Sequence, residues 1–117
     1  MKELENMVTS IRDELNRLYE ADYTDEEQEE MEENGEAYDL YSYFADALDI
    51  EYTIDSRLNY RSARIAVTLG GPNIYIDTAE KSIVGYWGGD SAEAPLPWEL
   101  SDAIDDVMMD YYNAARA

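Results

Sequence analysis

The chain has 117 residues, 45% of them hydrophobic and 12% aromatic, with 28 Asp and Glu against 8 Lys and Arg, for a formal net charge of −20. That charge repels anionic membranes and bare nucleic acid, whose phosphates are held by Lys and Arg, and it works against the compact state. The absence of His and Cys excludes Ser–His–Asp and Cys–His catalysis, disulfides and zinc–thiolate sites.

This length and apolar content predict a single domain spanning residues 1–117 with a modest core. The first residues, Met1-Lys2-Glu3-Leu4-Glu5, lack the basic and apolar blocks of a signal peptide. No apolar run approaches the roughly 20 residues of a membrane span. With no cysteine, these features fit a cytoplasmic location.

Residues 3–20 read as an amphipathic helix, because Leu4, Met7, Val8, Ile11, Leu15 and Leu18 recur at spacings of three and four. Residues 24–33 are nearly all acidic. Thr24 and Glu27 spell a capping box, first-turn acids suit the helix dipole, and Asn34-Gly35 marks a stop. Only Met31 and Tyr23 offer a hold on a core, so a solvated, fraying helix is expected. Helical periodicity returns over residues 36–48 through Ala37, Leu40, Tyr41, Phe44, Ala45 and Leu48.

The period then falls to two. Ile50, Tyr52 and Ile54 alternate with Glu51, Thr53 and Asp55, and Ala63, Ile65, Val67 and Leu69 alternate with polar or small partners. Gly70-Gly71-Pro72-Asn73 is a turn, residues 74–77 a short third strand and residues 82–87 a fourth. Residues 88–97, rich in Gly, Ala and Pro, read as a loop. Pro97 suits the first turn of a closing helix to about residue 114, with Leu100, Ile104, Val107, Met108 and Tyr111 as its apolar stripe. The expected fold class is α+β: N-terminal helices, an antiparallel sheet of three or four strands, and a C-terminal helix packed on it.

Without His or Cys, only carboxylate chemistry remains. Paired acids serve glycosidases, but a chain this acidic pairs carboxylates by chance, so no catalytic residue, cofactor or metal is assigned. An EF-hand loop counted from Asp22 has Thr24 at its third position and Glu27 where glycine is required. Asp105, Asp106 and Asp110 read as a solvated face, with weak Mg²⁺ binding as the alternative. The glycine pairs at 70–71 and 88–89 lack the spacing and the Lys of a phosphate loop.

The acidic rows are more specific. Glu99, Asp102, Asp106 and Asp110 recur at spacings of three and four, flanked by Asp105. Asp25, Glu29, Glu32 and Glu36 repeat the pattern, flanked by Glu26, Glu30 and Glu33. Adjacent like charges cost an isolated helix a few tenths of a kcal/mol per pair, and no Lys or Arg is interleaved to relieve them. Successive carboxylates lie about 5–6 Å apart, a distance of the same order as that between successive phosphates on a strand. Such rows suit Lys and Arg sites built for nucleic acid, with charge complementarity raising the on-rate. Tyr23, Tyr38, Tyr43, Tyr75, Trp87 and Tyr112 lie off the main apolar stripes and are candidate anchors, Trp87 and Tyr112 foremost.

In character the chain resembles the acidic nucleic-acid mimics of phages and conjugative elements, a group that includes anti-CRISPR and antirestriction proteins. The stretch Gly70-Gly71-Pro72-Asn73-Ile74-Tyr75-Ile76-Asp77-Thr78, followed by Val84-Gly85-Tyr86-Trp87-Gly88, is similar to small proteins of mobile elements in Firmicutes. The resemblance implies an inhibitor acting in the host cytoplasm. Its partner would be a basic nucleic-acid-binding protein or nuclease complex, met through the two acidic rows, with no direct contact to nucleic acid. The residues leave three alternatives open: an adaptor or immunity protein for another basic partner, a divalent-cation-binding carboxylate protein, and a protein adapted to salt.

Overall fold

In the computed structural model, which describes residues 2–116, residues 2–48 contain three helices: α1 (Lys2–Glu20), α2 (Asp25–Glu33) and α3 (Leu40–Phe44). Five strands follow: β1 (Asp49–Ile54), β2 (Tyr60–Thr68), β3 (Asn73–Asp77), β4 (Ser82–Trp87) and β5 (Asp90–Pro95). Helix α4 (Trp98–Arg116) closes the chain. The strands form one antiparallel meander in chain order. This is the expected α+β arrangement, with five strands in place of three or four.

The extra strand is the segment read as a loop. Gly88 and Gly89 take φ of 58° and 90°, the left-handed pair that a two-residue hairpin loop requires and that glycine adopts without strain. Trp87 therefore pairs with Asp90, and the ladder runs on to Ser82 opposite Pro95. Pro95 has no N–H to donate, which an edge strand tolerates.

The core follows the alternation. Ile50, Ile65, Ile76, Ile83 and Ala94 face one another across successive strands. Ile65, Ile76 and Ile83 are wholly buried. On this face α1 packs over β4 and β5 while α4 packs over β2, and the two helices touch. Leu4, Val8, Leu15 and Leu18 of α1 meet Leu100, Ile104, Val107 and Met108 of α4 in one apolar cluster with the sheet. Gly85 seats α1: a Cβ there would stand 2.9 Å from Leu4 Cδ1 and 3.0 Å from Val8 Cγ1, closer than packed carbons approach.

One helical expectation needs correction. The helix expected over residues 36–48 is cut to five residues. Asp39 accepts from Ser42 N–H at 2.7 Å and Ser42 Oγ accepts from Asp39 N–H at 3.1 Å, a reciprocal cap that fixes the start. At the other end, Leu48 N–H already bonds Ala66 O at 3.0 Å, so the chain has joined the sheet. Tyr41, Ala45 and Leu48, expected inside, are exposed. The segment at 24–33 is a helix, capped as expected: Thr24 Oγ1 accepts from Glu27 N–H at 3.2 Å while the Glu27 carboxylate accepts from Thr24. No α2 side chain is buried.

The connection between β1 and β2 is held by Asp55, which accepts from the Asn59 N–H at 2.9 Å and the Arg57 N–H at 2.8 Å. These two bonds hold its carboxyl below the ordinary value. They also let Leu58 sit at a φ of 65°.

Candidate functional site: two acidic helices

Helix α4 has two faces. Leu100, Ser101, Ile104, Val107 and Met108 are buried against the sheet and α1. The face turned to solvent carries Glu99, Asp102, Asp106 and Asp110, all exposed, with Asp105 half-buried beside them. From Glu99 to Asp110 the row is about 16 Å long at 1.5 Å per residue. The spacing of three and four that buries one stripe necessarily stacks the acids on the other.

The row divides by its internal partners. Asp105 accepts from Tyr60 Oη at 2.5 Å. Asp110 accepts from Tyr41 Oη, and Tyr111 Oη donates to the Tyr41 carbonyl. Burial and the bond to Asp105 push the Tyr60 hydroxyl far above its ordinary value. The bond to Asp110 does the same for Tyr41 to a lesser degree. Asp105 and Asp110 thus fasten α4 to β2 and α3. Glu99, Asp102 and Asp106 make no hydrogen bond or ion pair among the described residues.

Helix α2 presents Asp25, Glu26, Glu29, Glu30, Glu32 and Glu33, all exposed, and Glu36, also exposed, lies three residues beyond its end, past Gly35 at a φ of 74°, and so off the helix. The helix ends on Asn34, whose N–H bonds Glu30 O, and Glu36 N–H returns to Met31 O at 2.8 Å. This wraps the last turn. The three ion pairs among the described residues are Arg12–Asp13, Arg17–Glu14 and Arg61–Asp55. None touches either row.

The aromatic candidates are largely engaged within the molecule. Trp87 is half-buried against the core. Tyr112 donates to Leu58 O at 2.7 Å, packs on Tyr52 with the rings tilted by 57° and their centroids 5.2 Å apart, and lies under Arg116. Tyr23 accepts from Arg17 at 2.6 Å. Tyr43 meets Phe44 edge to face at 5.2 Å. Tyr75 carries the Arg64 guanidinium 3.8 Å above its ring.

Four other aromatics are exposed: Tyr41, Tyr86, Tyr19 and, most of all, Trp98. Trp98, the first residue of α4, is 65% exposed, and Tyr19 near the end of α1 is 44% exposed. Together with Glu99, Asp102, Ala103 and Asp106 they line a shallow depression of about 340 Å³. The sequence signal for Trp98 was present: Asp102 and Asp106 follow it by four and eight residues, which places all three on one helical face.

Among the described residues no group of three or more acids is disposed to hold a metal ion, and no helix is long and apolar enough to cross a membrane. No family model, no curated protein and no solved structure matches this chain.

Proposed function

We propose that this protein inhibits a nucleic-acid-binding host-defence protein, a CRISPR nuclease or a restriction system, by occupying the basic groove that otherwise holds phosphates. One observation carries the reading. Glu99, Asp102 and Asp106 stand in a row on a helix fastened by five buried residues, and among the described residues no cation answers them. Holding like charges in line costs a few tenths of a kcal/mol per neighbouring pair. A groove lined with Lys and Arg turns that cost into attraction and releases counterions from both surfaces. The α2 row adds a second anionic surface of the same kind.

Affinity purification from host lysate, repeated with excess duplex DNA and then RNA, tests the proposal. The expected result is retention of a basic nucleic-acid-binding protein that competing nucleic acid displaces, with loss of that protein's activity on its nucleic acid in the presence of the inhibitor. A retained partner that neither DNA nor RNA displaces would replace mimicry by an adaptor or immunity role. Recovery of no basic protein would remove the charge-based reading altogether.

A further inference from the structure

The depression at the start of α4 joins the most exposed aromatic side chain among the described residues, Trp98, to carboxylates that have no partner within the molecule. Trp98 and Tyr19 supply two exposed ring surfaces, and Glu99, Asp102 and Asp106 supply carboxylates around them. Elsewhere the molecule shows what it does with such a combination when a cation is at hand. On the sheet face opposite the helices, the Arg64 guanidinium lies 3.8 Å over the Tyr75 ring, and its cross-strand neighbours are Glu51 and Asp77. At the C-terminal end of α4, Arg116 lies 5.5 Å over Tyr112. Among the described residues no Lys or Arg lines the Trp98–Tyr19 depression, so the arrangement there has its rings and its acids but no cation.

We propose that this depression receives an arginine side chain of the basic partner, stacked on the Trp98 indole with its guanidinium edge toward Glu99, Asp102 and Asp106. The proposal rests on the reading of the function given above and names its anchor. Guanidinium suits the place better than ammonium, since it is planar, weakly hydrated and presents several donors in a fixed fork. Trp is the strongest of the aromatic faces for a cation. The positive end of the α4 dipole, worth about half a charge, opposes a cation there, but three carboxylates outweigh it. A large exposed side chain beside charged neighbours is also the composition of an interface hot spot, with the acids as its rim.

The test uses the whole chain labelled with ¹⁵N and follows the two indole N–H signals during titration with a nine-residue arginine peptide and then a nine-residue lysine peptide at low ionic strength. The Trp98 signal is assigned by its loss in Trp98→Phe. Shift of the Trp98 signal with the arginine peptide, and affinity lowered roughly 3- to 30-fold in Trp98→Ala, the range of a cation–π contact, would support the anchor. So would a smaller loss with the lysine peptide. Trp98 is exposed, so Trp98→Ala is expected to unfold at the same temperature as the parent. If the arginine peptide binds equally well to Trp98→Ala, or perturbs only the Trp87 signal, the anchor is overturned while the acidic rows keep their proposed role. If neither peptide binds, the anchor and the charge-based function fall together.

Discussion

Helices α2 and α4 both turn rows of carboxylates to solvent, yet α4 buries five side chains under its row and α2 buries none. The same charge therefore sits on different foundations. In α4 the repulsion among Glu99, Asp102 and Asp106 is carried by packing against α1 and β2 and by two tyrosine hydroxyls that grip Asp105 and Asp110. In α2 it is carried by the Thr24–Glu27 cap and the hydrogen bonds of a nine-residue helix, a length that is marginal in water. One row is a rail held by the core. The other is a local structure with no buried side chain, the kind of segment that opens below the free energy of the whole fold. A partner groove would meet α4 braced by the core and α2 braced only by its own cap and hydrogen bonds.

The largest effect should come from removing the foundation of α4. Ile104 is wholly buried between the sheet and α1. Ile104→Ala is expected to cost about 2–5 kcal/mol through lost burial and the cavity left behind, read as a lowered midpoint in chemical denaturation. Met31→Ala in α2, where Met31 is half-buried and no residue is fully so, should cost less than about 1 kcal/mol. Equal losses at the two sites would erase the contrast between the helices.

The next effect concerns binding. Reversing Glu99, Asp102 and Asp106 together to Lys breaks no internal hydrogen bond or ion pair, so the fold should stand. Each reversal removes about 0.5 kcal/mol of attraction to a cationic groove and adds a similar repulsion. The expected total is about 3 kcal/mol, or roughly a hundredfold in Kd, measured by calorimetry against the captured partner. The matching reversal of Glu26, Glu29 and Glu30 should weaken binding less, because no buried residue holds α2 in line and its row can give way against a groove. Undiminished binding after the α4 reversals would move the contact surface off α4.

Much of this contrast was legible in the sequence. The buried stripes of α1 and α4 are those that spacing picks out, and the Thr24–Glu27 cap is written in two residues three apart. What resisted reading depended on partners distant in the chain. Asp90–Pro95 contains no β-branched residue and becomes a strand only because β4 offers a free edge next to a two-glycine loop. Residues 36–48 keep a helical spacing, but the cap at Asp39 and the bond from Leu48 to Ala66 leave room for little more than one turn. The acids of α4 look alike in sequence. Their division into free and fastened members is made by Tyr60 and Tyr41, 45 and 69 residues away. Trp98 escaped notice because it stands outside the apolar stripe, although its spacing to Asp102 and Asp106 places it on the acidic face.

The fastening of α4 has its own signature in pH. Burial and the bond to Asp105 raise the folded value of the Tyr60 hydroxyl above its ordinary 10.0, and burial raises Tyr52 and Tyr111 in the same direction. Below pH 10 the hydroxyls are protonated in both folded and unfolded chains, and their stabilisation is fully present. Above pH 10 the unfolded chain loses these protons first, so stability falls as pH rises. One proton per group sets the ceiling on that slope at about 1.4 kcal/mol per pH unit. Tyr60→Phe should cost about 1 kcal/mol at neutral pH and flatten the alkaline limb, followed by denaturant midpoints from pH 8 to 12. An unchanged alkaline limb in Tyr60→Phe would show that Tyr60 does not carry the effect.

The smallest effect is the one most particular to α2. Thr24→Ala removes the acceptor for the Glu27 N–H and the partner of the Glu27 carboxylate, a loss of about 1 kcal/mol in caps of this kind. In a helix packed into the core that loss would appear in global stability. In α2, with no buried side chain, the unfolded form of the segment is reached without unfolding the sheet. The global denaturation midpoint should therefore stay nearly constant while hydrogen exchange at residues 28–33 accelerates by roughly fivefold, the factor that corresponds to about 1 kcal/mol. If Thr24→Ala instead lowers the global midpoint in step with the local exchange, α2 unfolds with the core, and its acids are then held as rigidly as those of α4.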